Sequence, residues 1–140
     1  MRAKNNRHDA IRTLVRSKAL KTQEELIAKL QEAGFACGKG TIARDIESMG
    51  LQKMGGMYVL AGDAALRRAA SQFVEGCVSA GNLAAIRVAH GYELVVAEAV
   101  DAASMEGVVC AATGPNAVMV MCLTEQAASS FSSLVGLLAS

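Results

Sequence analysis

Residues 22–60 read TQEELIAKLQEAGFACGKGTIARDIESMGLQKMGGMYVL, and this stretch decides how the first half of the chain folds. It opens on TQEE at 22–25, a capping box in which the Thr22 hydroxyl and the Glu25 carboxylate each accept a free backbone N–H at a helix start. Gly34 is typical of the left-handed residue that follows the end of a helix. The sequence therefore predicts a helix that begins at Thr22 and stops at Gly34.

Residues 39–49 predict a second amphipathic helix. At about 100° per residue, Ile42, Ile46 and Met49 share one stripe, whereas Arg44 lies near the centre of the opposite face. Such a helix suits DNA recognition, because its apolar stripe seats it in the domain while its polar face enters the major groove.

The flanking segments complete a winged helix-turn-helix. Apolar spacing over residues 7–16 predicts a helix before the capping box. After the recognition helix, strand-like runs at 51–54 and 57–60 surround Gly55-Gly56, a pair typical of a two-residue hairpin turn. Three helices followed by a hairpin is the order of this DNA-binding fold.

Basic and hydroxyl side chains supply the predicted DNA contacts. Arg44 can donate two hydrogen bonds to guanine or hold a phosphate, although a solvated Arg paired with Glu47 is the alternative. Thr41 can bond a phosphate or a base edge, and the remaining predicted phosphate contacts are Lys39, Lys53, Arg2, Lys4, Arg7 and Arg12.

Charge divides the chain near residue 62. Residues 1–62 hold 11 Lys and Arg against 6 Asp and Glu, a net +5, whereas residues 63–140 hold 3 Arg, no Lys and 7 acids, a net −4. The asymmetry predicts a DNA-binding domain over 1–62 and a second domain over 63–140 with another role.

The second half predicts an α/β domain in the order αβαββα. Its predicted elements are a helix at 64–80, a strand at 83–89, a helix at 92–103, strands at 107–112 and 117–123, and a helix at 126–138. The last two strands are apolar throughout, which predicts that both sheet faces are buried. Helices can cover one face, and we expect other subunits to cover the second; one uneven core in a monomer is the alternative.

Several classes of protein are disfavoured. The four cysteines, Cys37, Cys77, Cys110 and Cys122, lack metal-site spacing and are interpreted as small buried hydrophobes. We identify no catalytic triad, phosphate loop or metal motif, and an enzyme is therefore not expected. Neither a secretory signal nor a membrane span is recognised, which favours the cytoplasm.

The motifs resemble those of bacterial arginine repressors. TQEELIAKLQEAGF at 22–35, GTIARDIESMGLQKM at 40–54 and MYVL at 57–60 are similar to that family's DNA-binding domain. NLAAIRVAHGYELVVAEAVD at 82–101 is similar to a segment of its second domain, and the resemblance spans residues 7–138.

The resemblance implies a repressor of arginine metabolism genes that forms trimers stacked into hexamers, with L-arginine as the corepressor between trimers. In the recognition helix, Thr41, Arg44 and Asp45 match the family's pattern. Lys39 replaces a DNA-contacting Gln and Ala43 replaces a contacting Ser, which predicts a different operator sequence.

At the turn that binds arginine in the family, this sequence departs further from the family's pattern. Pro115 and Asn116 stand where the family has two aspartates, and of its polar set Asp101 remains. A carboxylate pair is what a guanidinium or ammonium group requires, so arginine should bind far more weakly here. Glu93 can restore a charge near the turn or can be a solvated carboxylate at a helix start. His90 and Tyr92 can line a different pocket.

The sequence therefore leaves two functions open. The first is a DNA-binding transcriptional regulator of the arginine-repressor type, working as a homo-oligomer on a double-stranded operator with an amino-acid effector. The second is an arginine-insensitive architectural or partner subunit that binds DNA constitutively or joins a mixed hexamer.

Overall fold

A computed structural model describes residues 2–140, with side chains from Asn5 onward. The chain divides into two compact units, the first ending at Ala61 and the second comprising Gly62–Ser140. This division falls one residue before the boundary expected from the charge distribution.

The first unit contains three helices and a hairpin, as the sequence predicts. The elements are α1 at Arg2–Ser17, α2 at Gln23–Glu32, α3 at Lys39–Met49, β1 at Gln52–Met54 and β2 at Met57–Val59. Apolar side chains from all three helices and the hairpin share one core, formed by Ile11, Val15, Leu20, Leu26, Leu30, Ile42, Leu51, Tyr58 and Leu60. This core holds α3, the predicted recognition helix, with one of its faces turned inward.

The capping residues predicted from the sequence lie at the two ends of α2. The Thr22 hydroxyl accepts the Glu25 backbone N–H at 3.1 Å, which is one half of the capping box. The Glu25 carboxylate accepts the N–H of Lys21 at 2.8 Å, one residue earlier than the motif predicts. Gly34 adopts a φ of +94° just beyond the helix, as expected for the residue that stops it.

The second unit is a four-stranded antiparallel sheet with three helices. Its elements are α4 at Ala64–Phe73, β3 at Val74–Ala80, β4 at Leu83–Val88, α5 at Glu93–Ala103, β5 at Val108–Gly114, β6 at Ala117–Cys122 and α6 at Glu125–Ala139. The strands lie in the order β3-β4-β6-β5. The two-domain α/β fold class is confirmed.

The predicted αβαββα order of this unit is wrong by one strand, because the observed order is αββαββα. The predicted helix over residues 64–80 ends at Phe73, and residues 74–80 form β3, which pairs with β4. Apolar residues at helical spacing continue past Phe73 and conceal the change. Val74, Gly76 and Val78 disfavour a helix, and pairing with β4 gives the segment its strand conformation.

The two faces of the sheet differ. The inner face is closed by the helices and consists of buried side chains, among them Ala84, Ile86, Val88, Val118, Val120 and Cys122. We call the opposite surface the outer face; the strand register places Val78, Leu83, Cys110, Met119 and Met121 on it, all exposed. The chain by itself therefore leaves an apolar sheet surface open to water.

A buried arginine joins two helices of the second unit. Arg67 on α4 is 8% exposed, and its guanidinium donates to the backbone oxygens of Leu138 and Ser140, the latter at 2.9 Å. These bonds satisfy carbonyl groups at the end of α6, which have no partners within their own helix.

The interpretation of all four cysteines as buried is wrong. Cys122 alone is buried, Cys37 and Cys77 are half-buried, and Cys110 is exposed on the outer face. Cys110 lies in an apolar run, but the side chains of a strand alternate between the two faces of a sheet.

Over residues 2–140, no helix has the length and apolar character needed to cross a membrane.

Candidate nucleic-acid interface

The recognition helix α3 has one buried and one exposed face. Ile42 is fully buried and Asp45 is 2% exposed, whereas Ile46 is half-buried. Among the predicted DNA-contacting residues of this helix, Lys39, Ala43 and Arg44 are exposed and Thr41 is half-buried. All four are therefore accessible to a ligand, and Arg44 lies on the face opposite Ile42.

Arg44 is available on that surface. Within residues 5–140 it forms no salt bridge, so the alternative pairing with Glu47 is not observed. Lys39 forms an exposed ion pair with Glu24 on α2, with 3.1 Å between Nζ and Oε1. Exposed ion pairs are weak and exchange readily with solvent, so this one leaves Lys39 free to bind phosphate.

The hairpin adds one further cation. Lys53 on β1 is exposed, and its ammonium group lies 5.3 Å from the centre of the Tyr58 ring. This cation–π contact orients the lysine without neutralising its charge.

The basic residues of α1 have different surroundings. Arg12 is exposed and pairs with Asp9 at 2.9 Å, one turn away on the same helix. Arg7, predicted to contact the DNA backbone, directs its guanidinium into the domain and bonds Asp45 on α3. The side chains of Arg2 and Lys4, also predicted as backbone contacts, lie outside the described residues.

Asp45 is the centre of a three-residue cluster that joins α1 to α3. One of its carboxylate oxygens accepts Arg7 Nη2 at 2.9 Å and His8 Nε2 at 2.9 Å, and the other accepts Arg7 Nε. Burial by itself raises the pKa of Asp45, but the hydrogen bonds and charges of Arg7 and His8 outweigh this effect and hold the pKa below its usual value. The carboxylate is therefore ionised and fully paired.

Sequence reasoning missed this cluster, although one signal pointed to it. Asp45 follows Ile42 by three positions, which places it about 60° from the centre of the apolar stripe. An acidic residue at the edge of a buried stripe requires a cationic partner, because an unpaired buried charge is costly. The sequence does not say which of the basic residues supplies it.

A second polar cluster lies at the turn between β5 and β6. Glu93, the first residue of α5, accepts the Gly91 N–H at 2.8 Å and the Asn116 N–H at 2.9 Å. The hydrogen bond from Asn116 is the main reason why the pKa of Glu93 lies below its usual value. Glu93 therefore ties the turn to the start of α5, a role that neither sequence interpretation of this residue includes.

The structure brings only part of the predicted effector site together. Glu93 bonds Asn116, and Pro115 is the exposed neighbour of Asn116. Asp101 is exposed but lies two turns further along α5, a rise of about 12 Å from Glu93.

The surface beside this turn is mostly apolar. The Tyr92 ring stacks on Phe73 with 4.0 Å between centroids, and Leu94 and Val95 are 62% and 45% exposed. His90 is exposed. In the described part of the chain, no group of three or more His, Cys, Asp or Glu side chains is arranged to hold a metal ion.

Comparison with known proteins agrees with this geometry. Residues 2–64 match the family model described as "Arginine repressor, DNA binding domain". Along nearly its whole length the chain is 31% identical to an arginine repressor of Thermus thermophilus over 137 aligned residues, covering 89% of this chain and 84% of the relative.

Other relatives give the same picture. An arginine repressor of Pelotomaculum thermopropionicum is 31% identical, with 89% of this chain and 91% of the relative covered. One of Bacteroides fragilis is 29% identical, with 86% of each chain covered.

Acidification should remove the stabilisation that Asp45 provides. Because folding lowers its pKa, this contribution is complete above the unfolded value of about 4 and is lost as the pH falls through the lower, folded value. We expect Asp45→Asn to cost roughly 3 kcal/mol at pH 7, and the difference from wild type to shrink between about pH 5 and pH 2. Calorimetric unfolding of the full chain at a series of pH values measures the cost at pH 7 and its decrease on acidification.

The matched control is Asp9→Asn, which removes the same charge from an exposed pair on α1. We expect this variant to unfold close to wild type at every pH. A difference between Asp45→Asn and wild type that is unchanged down to pH 2 would contradict the prediction.

Proposed function

Because this chain belongs to the arginine repressor family, whose members are DNA-binding transcriptional repressors and not enzymes, we propose that it reads a specific operator with α3. The observation that carries the proposal is the exposed guanidinium of Arg44 on the face of α3 opposite Ile42, which forms no salt bridge within residues 5–140. An arginine at that position can donate two parallel hydrogen bonds to O6 and N7 of a guanine in the major groove.

The neighbouring residues divide between base and backbone contacts. Thr41 and Ala43 flank Arg44 and set which bases fit against the helix, with the Ala43 methyl group suited to a thymine methyl. Lys39 and Lys53 are phosphate contacts that fix the protein on the duplex without reading its sequence. Lys39 and Ala43 depart from the family's motif, so the operator differs in sequence from that of the relatives.

Membership of the family supports a proposal for the target genes and the location. We propose control of genes for arginine biosynthesis or catabolism, exerted on chromosomal DNA in the cytoplasm. The repressor function is common to the family, and the choice of operator is particular to this chain.

We propose that the outer face of the sheet is the contact between subunits of a homotrimer, two of which form a hexamer. The face presents Val78, Met119 and Met121, which are 66%, 40% and 46% exposed in the single chain. Monomeric proteins rarely leave such a contiguous apolar surface open, whereas subunit contacts bury it. An oligomer also presents several copies of α3 to paired operator half-sites.

We propose that the response to L-arginine is much weaker than in the family or is directed to another effector. A guanidinium or ammonium group needs carboxylate oxygens, and the turn at Pro115 and Asn116 offers none. The nearby carboxylate of Glu93 already accepts two backbone N–H groups, at Gly91 and Asn116. The exposed Leu94 and Val95 beside it suit a less polar ligand.

An arginine-insensitive subunit of a mixed hexamer is the second candidate function. The observation that favours it is the same engaged turn, since a subunit without its own effector site can still bind DNA and assemble. Size-exclusion chromatography with an arginine-binding relative from the same organism separates the candidates: a stable mixed complex supports the partner role.

Arg44→Ala should abolish operator selection while the oligomer persists. The variant loses a bidentate base contact, worth about 1–3 kcal/mol of discrimination at each half-site. Footprinting on a duplex selected by the wild type, together with sedimentation, measures both effects. Gln31→Ala, an exposed change near the end of α2, serves as control. Unaltered footprints with Arg44→Ala would remove this residue from the readout.

Calorimetric titration with L-arginine should give no binding heat at millimolar ligand. Loss of two charge-assisted contacts, each worth about 1.5–3 kcal/mol, weakens binding by roughly a hundredfold or more. The double variant Pro115→Asp/Asn116→Asp restores the carboxylates, and Asp tolerates the φ of +57° found at residue 116. We expect it to bind arginine more tightly than the wild type. Micromolar binding by the wild type would refute this proposal.

A charge on the outer face should dissociate the oligomer. Met119→Lys places an ammonium group in the centre of an apolar contact, where its desolvation is costly. Analytical ultracentrifugation should show trimers or hexamers for the wild type and monomers for the variant. Ser129→Lys, which adds the same charge at an exposed position of α6, should assemble normally. If the Met119→Lys variant forms an oligomer of the same mass as the wild type, the subunits contact each other through another surface.

A further inference from the structure

We propose that Asp45 and Arg7 are positioning residues for operator recognition: they fix the rotation of α3 about its axis and thereby aim Arg44. On this view Arg7 acts through Asp45 and not through a phosphate. The inference rests on the proposed reading of DNA by α3 and specifies how the domain holds that helix.

The geometry of the cluster suits this role. Two nitrogens of one guanidinium, Nε and Nη2, bond the two oxygens of a single carboxylate, and His8 adds a third bond from the same helix. A bidentate pair constrains orientation as well as distance, because both parallel bonds must be kept. The carboxylate, and with it the backbone of α3, is therefore held at a defined angle to α1.

Apolar packing alone does not supply this constraint. Ile42 is the only fully buried apolar side chain of α3, and its neighbours on the stripe, Ile46 and Met49, are half-buried. Hydrophobic contact is non-directional and tolerates small rotations. At the outer radius of a helix, about 5–6 Å from the axis, a rotation of 10° displaces a group by about 1 Å. Such a shift is enough to spoil a bidentate base contact.

The burial of the pair argues against a direct phosphate contact by Arg7. The Arg7 side chain is 18% exposed and that of Asp45 is 3% exposed. By contrast, the Arg12 side chain is 47% exposed, and its partner Asp9 is 75% exposed. The Arg7–Asp45 pair between α1 and α3 and the Arg12–Asp9 pair on α1 therefore have the same charges but opposite accessibility.

Arg7→Gln and Asp45→Asn form the decisive pair of variants, because they change the charge of the domain in opposite directions. Each full-length variant is titrated against two duplexes: one selected by the wild type from a random-sequence pool, and a shuffled control. All titrations run at a temperature at which circular dichroism shows every variant folded.

A positioning role predicts the same result from both variants. We expect the ratio of specific to non-specific affinity to fall about tenfold or more for each, and the double variant to be no worse than either alone. Binding to the shuffled duplex should keep its affinity and salt dependence. A residue that served only the stability of the fold would leave the ratio unchanged under these conditions.

A direct phosphate contact predicts a different pattern. Arg7→Gln would then weaken both duplexes and reduce the salt slope by about one, while Asp45→Asn would strengthen both by removing a negative charge. That outcome would overturn the inference. The exposed pair supplies the matched control, and we expect Arg12→Gln and Asp9→Asn to follow this electrostatic pattern.

Arg7→Lys covers the case in which Arg7→Gln does not fold. A lysine still binds phosphate but cannot form the bidentate pair. A lower specificity ratio for Arg7→Lys supports the positioning role, and an unchanged ratio refutes it. If the wild type selects no duplex at all, the proposed reading of DNA by α3 fails, and this result is distinct from any difference among the variants.

Discussion

The DNA-binding unit depends on one buried negative charge. The Asp45 carboxylate is removed from water, and a charge in that environment is tolerated only when it is paired and hydrogen-bonded. Its partners, Arg7 and His8, both come from α1, so the first and third helices cannot shift independently without leaving a charge unsatisfied. The exposed face of α3 takes its direction from this constraint. The cluster also divides the basic residues into those that build the domain and those left free to meet DNA.

The second unit is built around an unequal sheet. Three helices close its inner face, and the outer face remains apolar without a covering layer. Glu93 belongs to the same arrangement, because it connects the start of α5 to the turn between β5 and β6. The unit thus has a hydrogen-bonded junction between a helix and a turn at one place and an open apolar surface at another. The open surface is the feature that supports the proposed assembly.

The sequence predicted local features better than long-range ones. The bounds of α3 and the position of the hairpin agree with the structure, because periodicity and glycine signals coincide there. The strand β3 was missed because Phe73, Val74 and Cys77 also fit a helical stripe, and only pairing with β4 decides between the two conformations.

Partnerships across the chain were beyond sequence reasoning. Arg7 and Asp45 are 38 residues apart, and Glu93 and Asn116 are 23 apart. Composition shows that cations and carboxylates are available in each half, but not which of them meet. An arginine expected at the DNA backbone was therefore found to bond a carboxylate inside the domain. Similarly, the Glu93 carboxylate, which was considered for ligand binding, was found to accept a backbone N–H of the turn between β5 and β6.

The guanidinium of Arg67 makes the last turn of α6 an integral part of its unit. Its hydrogen bonds end on the backbone oxygens of Leu138 and Ser140, so the cation's solvation is supplied by the final residues of the helix. Removing those few residues would take the buried Leu138 side chain out of the core, and it would also leave Arg67 inside the protein without the oxygens that accept its hydrogen bonds. The helix end is thus far less dispensable than its small size suggests.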